Sequence, residues 1–181
     1  MRGICGIKPD PYIISHPSYP LYVGNAAYPS FAPKSARDPR LVGGEDTAVI
    51  VAAGQSNICN NVKGDGQLYI PTNAGKVDNF CLSDGGTYEG LDPLLGCDNA
   101  DGNFLCRMAD KLIDEGAFDR VILAPVGVSA TSITRWMPGG DLNSHIIVIC
   151  RRLASVGLTP TMFVWQQGES DNGAMSRNDY R

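Results

Sequence analysis

Three short apolar runs limit what this chain can fold into. They span 47–53, 120–128 and 161–166, and their hydrophobicity is continuous rather than alternating. That pattern is typical of strands that are buried on both faces, as in a parallel sheet. We therefore predict three strands of a parallel sheet, the third of which should lie at its edge. The second should end near Pro125, because proline cannot donate a hydrogen bond to a neighbouring strand.

Two amphipathic segments separate these runs. Residues 102–116 and 142–156 place apolar side chains at helical spacing, and each stretch is followed or closed by a glycine. We expect Asp101 or Asn103 to cap the first helix and Gly116 to end it. The alternation of strand and helix predicts a right-handed βαβαβ unit, and so an α/β fold built on a parallel sheet.

The rest of the chain divides into an arm and a long loop. Residues 1–46 repeat proline too densely for a regular helix or a central strand, and they predict an extended arm or linker before a domain of residues 47–181. Residues 57–101 are rich in Gly, Asn and Asp, with a short strand possible at 67–70. So long a stretch without strong periodicity is usually functional or an insertion.

Composition excludes several classes of partner. The net charge of −4 argues against nucleic acid, because binding a polyanion needs a basic face. No apolar run is long enough to span a membrane, and no apolar secretory segment follows Met1. Compartment and oligomeric state are left open.

The six cysteines do not form a metal-binding pattern. None are spaced as Cys-x-x-Cys, and both histidines lie far from any cysteine pair, so we predict neither a metal nor a cofactor. Cys106 and Cys150 fall on apolar helical faces and should be buried thiols. Thiols and disulfides are equally open for Cys59, Cys81 and Cys97, for example as a Cys81–Cys97 bridge.

Three polar segments follow the predicted strands. In parallel sheets, working residues lie just past the carboxyl ends of the strands. Ser56 can expose its hydroxyl there, and Gln167 can donate its side-chain amide to a developing oxyanion. Each segment alone is also typical of an ordinary polar turn. The segments are Gly54-Gln55-Ser56-Asn57, then Ser129-Ala130-Thr131-Ser132-Ile133 with Trp136, then Trp165-Gln166-Gln167-Gly168-Glu169-Ser170-Asp171.

Taken in order, the three segments resemble the blocks of the SGNH hydrolase superfamily, most closely the sialate O-acetylesterase-like carbohydrate esterases. The first and third match at every position typical of that family. In the second, Ser129 and Ala130 stand where the family has two glycines. The resemblance covers residues 47–175 and implies a three-layer α/β/α, flavodoxin-like fold.

The resemblance also implies a hydrolase that removes acetyl groups from sugars or glycans by serine esterase chemistry. Ser56 would be the nucleophile. The oxyanion hole would use the N–H of Ser56, a backbone N–H near Ser129 or Ala130, and the side chain of Gln167. Glu169 and Asp171 are expected to hold the third loop rather than to act as bases. The supporting residues would be Gly54, Gln55, Asn57, Gly168, Glu169 and Asp171.

The base that such a serine needs is not evident. The family's late Asp-x-x-His block is absent, because His16 and His145 are preceded three residues earlier by Ile13 and Leu142. We expect His145 to pack at the surface or in the cap region of the second helix, with Asp141 as a possible partner. We also expect a C-terminally truncated chain with an incomplete sheet and weak or no activity. The alternative is a catalytically inactive carbohydrate-binding or scaffold module on the same fold.

Overall fold

A computed structural model describes residues 34–38, 45–62 and 68–180. The described residues form one five-stranded sheet with strand order β3-β2-β4-β1-β5. Its strands are β1 (Thr47–Gly54), β2 (Val77–Phe80), β3 (Thr87–Glu89), β4 (Arg120–Pro125) and β5 (Met162–Gln166), and its helices are α1 (Phe104–Asp114) and α2 (Asn143–Ser155). β1 lies parallel to both of its neighbours, β4 and β5. The predicted α/β fold is confirmed.

The sheet is mixed rather than wholly parallel, which corrects the prediction. β2 pairs parallel with β4, but β3 runs antiparallel to β2. Both strands lie in the stretch that the sequence marked as a long loop. The strand predicted at 67–70 is wrong for residues 68–70, which are irregular, and Gln67 lies outside the described residues.

Helices cover both faces of the sheet, because successive residues of a strand point to opposite sides. One set of β1 side chains packs in a cluster with residues of α2, and the other set packs with residues of α1. Each large aliphatic side chain that is buried in these clusters contributes about 1.5–3 kcal/mol to folding. The first set is Val49, Val51 and Ala53, and the second is Ala48, Ile50 and Ala52. The helix α1, the sheet and the helix α2 form the three-layer α/β/α arrangement that was predicted.

The ends of α1 follow the predicted caps. Of the two candidates, Asn103 is the cap, and its side chain accepts a hydrogen bond from the Leu105 N–H at 3.0 Å. Gly116 follows the helix with φ of +69°, a left-handed conformation that glycine adopts without steric cost. No helix in the described segments is long and apolar enough to cross a bilayer.

Part of the predicted arm lies beside β3. Arg37 donates its N–H to Thr87 O at 2.8 Å, and Glu89 donates its N–H to Ser35 O at 3.0 Å. These bonds extend the sheet edge by a short antiparallel segment. The remaining arm residues 1–33 and 39–44, with Cys5 and His16, lie outside the described residues.

The described cysteines are free thiols. Cys106 is fully buried as predicted, whereas Cys150 is only partly buried. The Cys81–Cys97 bridge is not formed. Cys81 packs with Tyr88 and Leu95, while Cys97 belongs to the separate cluster beneath α1.

His145 lies buried in the first turn of α2, so of its two predicted placements the cap region is right and the surface is wrong. Its ring lies 6.4 Å from that of Trp136, edge to face at 87°, and only 2% of the residue is exposed. The Asp141 carboxylate is bound by the Arg135 guanidinium, with Nε 3.0 Å from Oδ1. His145 therefore serves the core beneath the second loop.

Candidate functional site

The turn after β1 presses directly against the end of β5. Gly54 has φ of +140°, and a Cβ at this position would lie 1.8 Å from the carbonyl oxygen of Gln166. Gln55 then donates its N–H to the same oxygen at 2.9 Å. Only glycine permits this approach, and it brings the first loop against the third.

The residues on either side of Ser56 are bonded to the third loop. The buried Gln55 accepts hydrogen bonds on Oε1 from Gln167 Nε2 at 3.0 Å and from the Ser170 N–H at 3.1 Å. Asn57 donates from Nδ2 to Glu169 Oε1 at 2.6 Å. Ser56 is thus held between two fixed neighbours.

Asn61 joins the first loop to the second. Its Nδ2 donates to Ser56 O at 2.9 Å and to Ser129 Oγ at 2.8 Å. The backbone adds a further link, since Val128 donates its N–H to Gly54 O at 3.0 Å. The three loops that follow β1, β4 and β5 therefore meet at one edge of the sheet.

The hydroxyl and the N–H of Ser56 are free to bind a ligand. It is partly buried, and neither its hydroxyl nor its N–H donates a hydrogen bond to any residue of the described segments. The same holds for the N–H of Ala130, which is exposed. The N–H groups of Ser56 and Ala130 and the Ser56 hydroxyl are thus available to a ligand, whereas the side chains around them are bonded to one another.

Ser129 is engaged by a buried carboxylate. Asp98 accepts the Ser129 N–H on Oδ2 at 2.8 Å and the Ser129 hydroxyl on Oδ1 at 3.0 Å. Of the two backbone candidates for an oxyanion donor, Ala130 therefore has the free N–H.

Backbone strain is concentrated beside this loop. Ala130 and Asn99 have φ of +56° and +65°, and they are the non-glycine residues of positive φ in the described part of the chain. Asn99 donates from Nδ2 to Ser129 Oγ at 3.0 Å, so both belong to one network. Such conformations cost about 1–3 kcal/mol each and cluster at functional sites.

The Gln167 side-chain amide is bonded to residues of all three loops. Its Nε2 contacts Gln55 Oε1, Thr131 O at 2.8 Å and the Asp171 carboxylate, while its Oε1 accepts from Tyr180 OH at 2.7 Å. An amide has two hydrogens for these three acceptors. To hold an oxyanion, Gln167 would have to turn one N–H from a present partner to the substrate.

Both carboxylates of the third loop accept hydrogen bonds. Asp171 is buried, which by itself raises the pKa of its carboxyl, but bonds from Ser132, Gln167 and the Ile133 N–H lower that pKa below its usual value. Glu169 Oε1 accepts from Asn57 and from Gln166 Nε2. Asp171 therefore stays ionised at neutral pH and ties the third loop to the second.

An open cavity of about 700 Å³ lies beside Gln167. Gly168, Asp171, Arg177 and Tyr180 are among the residues that line it. Its volume is that of a small-molecule site. Across the described segments, no three His, Cys, Asp or Glu side chains lie close enough together to hold a metal ion.

Sequence reasoning found the three loops but missed the residues that join them. Asp98, Asn61 and Asn99 lie in the Gly-, Asn- and Asp-rich stretch and follow no recognisable spacing. A signal was nevertheless present, because a long loop this rich in side-chain amides and carboxylates has the groups needed to pin neighbouring loops.

Comparison with known proteins supports the fold alone. No protein-family model and no curated protein matches the chain. It is similar to a protein of Arabidopsis thaliana solved by X-ray crystallography, with a TM-score of 0.53 and 16% sequence identity. The match covers 71% of this chain and 59% of the Arabidopsis chain. At this identity the likeness establishes a shared α/β architecture and assigns no activity.

Proposed function

We propose that this protein is a serine carboxylic ester hydrolase that removes acetyl groups from acetylated carbohydrates, with Ser56 as its nucleophile. One observation carries the proposal. The Ser56 hydroxyl donates to no described residue although the neighbouring Gln55, Asn57 and Asn61 side chains all hold other loops in place. A hydroxyl kept free at the carboxyl end of a central strand is suited to attack a bound carbonyl.

In the proposed reaction, Ser56 Oγ attacks the acetyl carbonyl carbon and its proton passes to a base. The oxyanion that forms accepts hydrogen bonds from the N–H groups of Ser56 and Ala130. Each well-placed donor of this kind lowers the barrier by about 2.7–4 kcal/mol. The sugar hydroxyl then leaves with a proton, and water releases acetate from the serine ester.

The substrate class rests on the three blocks. Those around Ser56, Ala130 and Gln167 resemble the blocks of carbohydrate O-acetylesterases. A cavity of small-molecule size also lies beside Gln167.

The described side chains provide no general base for Ser56. His145 is buried against Trp136, and no side chain in the described segments accepts a hydrogen bond from Ser56. A serine without a base is a poor nucleophile, so we expect this chain to hydrolyse esters slowly. The same observation favours a second candidate function, a non-catalytic module that binds acetylated carbohydrate.

The rate of acetate release from p-nitrophenyl acetate tests the proposal, with imidazole added as an external base. The wild type should accelerate with imidazole beyond the rate of buffer plus imidazole, and Ser56→Ala should not. Ser170→Ala is the matched control, because it removes an exposed hydroxyl from the third loop. Equal rates for wild type and Ser56→Ala would reject Ser56 as nucleophile.

Binding separates the two candidates. If acetylated xylo-oligosaccharides bind the wild type and Ser56→Ala equally while neither releases acetate with imidazole, the binding module is correct. If binding is accompanied by release of acetate that depends on Ser56, the esterase is correct.

A further inference from the structure

Two buried thiols lie against Gly127, just after β4. A Cβ on Gly127 would lie 2.7 Å from Cys59 Sγ and 3.3 Å from Cys97 Sγ, so both sulfurs converge on one point. Neither cysteine has any exposed surface. A side chain at residue 127 would occupy the space into which the two sulfurs point.

The backbones that carry these thiols are pinned side by side. Asn60 donates its N–H to Asp98 O at 3.1 Å and its Nδ2 to Cys97 O at 3.5 Å. Cys97 in turn donates from Sγ to Ile58 O at 3.2 Å. The two segments are therefore bonded side by side, and their sulfurs point into the same space beside Gly127. Proximity of this kind is what a disulfide between two cysteines needs.

We propose that Cys59 and Cys97 form an intramolecular disulfide when the chain folds in the presence of a disulfide oxidant such as glutathione disulfide. The two S–H bonds and the S–S bond of the oxidant break, and one S–S bond forms between Cys59 and Cys97. The two hydrogens and two electrons reduce the oxidant to two molecules of glutathione.

The two thiols react slowly with disulfides in the folded protein. The hydrogen bond between the Cys59 and Cys97 thiols favours the protonated form of Cys59, and together with burial it raises the pKa of the Cys59 thiol. Because the thiolate is the species that attacks a disulfide, exchange is slow in the native state. The bond therefore forms during folding, while both sulfurs are still accessible.

The other described cysteines are placed differently. Cys81 packs with Tyr88 and Leu95 in its own cluster. Cys106 donates from Sγ to Gly90 O at 3.7 Å, and Cys150 lies on α2, at the opposite face of the sheet. Among the described cysteines, only Cys59 and Cys97 are therefore placed to form a disulfide with each other.

The proposed bond would stabilise the candidate site without taking part in it. Cys59 follows Ser56 by three residues, and Cys97 precedes Asp98, which holds Ser129. A bond between them would close the loop of residues 59–97 and reduce the entropy of the unfolded chain. This inference stands whether or not the protein is an esterase.

Refolding tests it. The reduced protein is unfolded in urea and diluted into a mixture of reduced and oxidised glutathione, and free thiols are then blocked. We expect a product that carries four blocking groups on its six cysteines, with a mass two hydrogen atoms below that of a reduced chain carrying the same four groups. Digestion with trypsin and chymotrypsin, which separates Cys97 from Cys81 and Cys106, should yield a peptide containing Cys59 linked to one containing Cys97.

The urea midpoint is the second readout, and it should rise by about 1–2 M on oxidation. The rise should vanish in Cys59→Ser and persist in the matched control Cys106→Ser. Should either variant fail to fold, the wild-type peptide map decides by itself. Finding Cys97 as a blocked free thiol, or linked to another cysteine, would overturn the proposal.

Discussion

Asp98 clamps Ser129 at two points, accepting its backbone N–H at 2.8 Å and its hydroxyl at 3.0 Å. The carboxylate is buried, with 2% of the residue exposed. Because both oxygens are used on one residue, the backbone that follows is fixed and Ala130 takes a left-handed conformation with its N–H free. Asp98 therefore helps to fix the shape of the second loop, together with Asn61 and Asp171.

Asp98→Asn should destabilise the protein. Asparagine can accept at one position only, and its amide would face the Ser129 N–H as a second donor. We expect the free energy of unfolding to fall by about 2–3 kcal/mol in urea titrations. Asp101→Asn, a change of the same kind in the same loop, should cost less than about 0.5 kcal/mol. Equal effects of the two substitutions would contradict the clamp.

Ala130→Gly should leave the free energy of unfolding nearly unchanged. Relief of the left-handed backbone gains about 1 kcal/mol, and the greater freedom of glycine in the unfolded chain removes a similar amount. The exposed Ala154 in α2 is the matched position, where the same substitution should cost about 0.5–1 kcal/mol. A loss at residue 130 as large as at 154 would mean that Ala130 is not strained.

Gly54→Ala should abolish folding or cost more than about 3 kcal/mol, because the new Cβ would collide with the Gln166 carbonyl and φ is +140°. Gly75→Ala is the control, since a Cβ there meets nothing within 4 Å. Thermal unfolding monitored by circular dichroism distinguishes the two. A well-folded Gly54→Ala protein would show that the β1 turn does not need this approach to β5.

Stability at low pH should depend on Asp110 of α1. Burial opposes ionisation, but hydrogen bonds from Tyr69, Thr72 and Asn73 bring the pKa of Asp110 down to about 2. The folded pKa is below that of the unfolded chain. The resulting stability is therefore fully present above pH of about 4 and is lost as pH falls through about 2.

Asp110→Asn should thus cost about 2 kcal/mol at pH 7, and the cost should shrink as pH falls from about 4 to about 2. Urea titrations across that range measure it. Glu115→Gln removes the exposed pair between Lys111 and Glu115 at the C-terminal end of the same helix and should cost no more than about 0.5 kcal/mol. A deficit for Asp110→Asn that is the same at every pH would contradict the assignment.

The fold was predictable where each strand is apolar along its whole length. β1, β4 and β5 carry continuous hydrophobic runs, and β4 ends at Pro125 as predicted. β2 was not predictable, because Asp78 and Asn79 lie in it and are buried. Asp78 pairs with Arg120, and Asn79 bonds the backbone of Leu95. Those partners are distant along the chain, so no local pattern reveals them.

The candidate site was predictable in outline for a topological reason. The carboxyl ends of parallel strands share an edge, which brings the loops of Ser56, Ala130 and Gln167 together. The bonds that set their geometry come from Asn61 and Asp98, each a single polar residue in an irregular stretch. Side-chain contacts of this kind depend on the final packing, so the residues that make them form no periodic pattern in the sequence.

The most direct test of the central claim is the capture of an acetyl group on Ser56. The protein is mixed with excess p-nitrophenyl acetate and imidazole, quenched in acid within the first turnover, and digested for mass spectrometry. The proposal predicts one acetyl group on the peptide that contains Ser56, absent in Ser56→Ala and retained in Ser170→Ala. An unmodified Ser56 in wild-type protein that nevertheless releases acetate faster than Ser56→Ala would contradict nucleophilic attack by this residue.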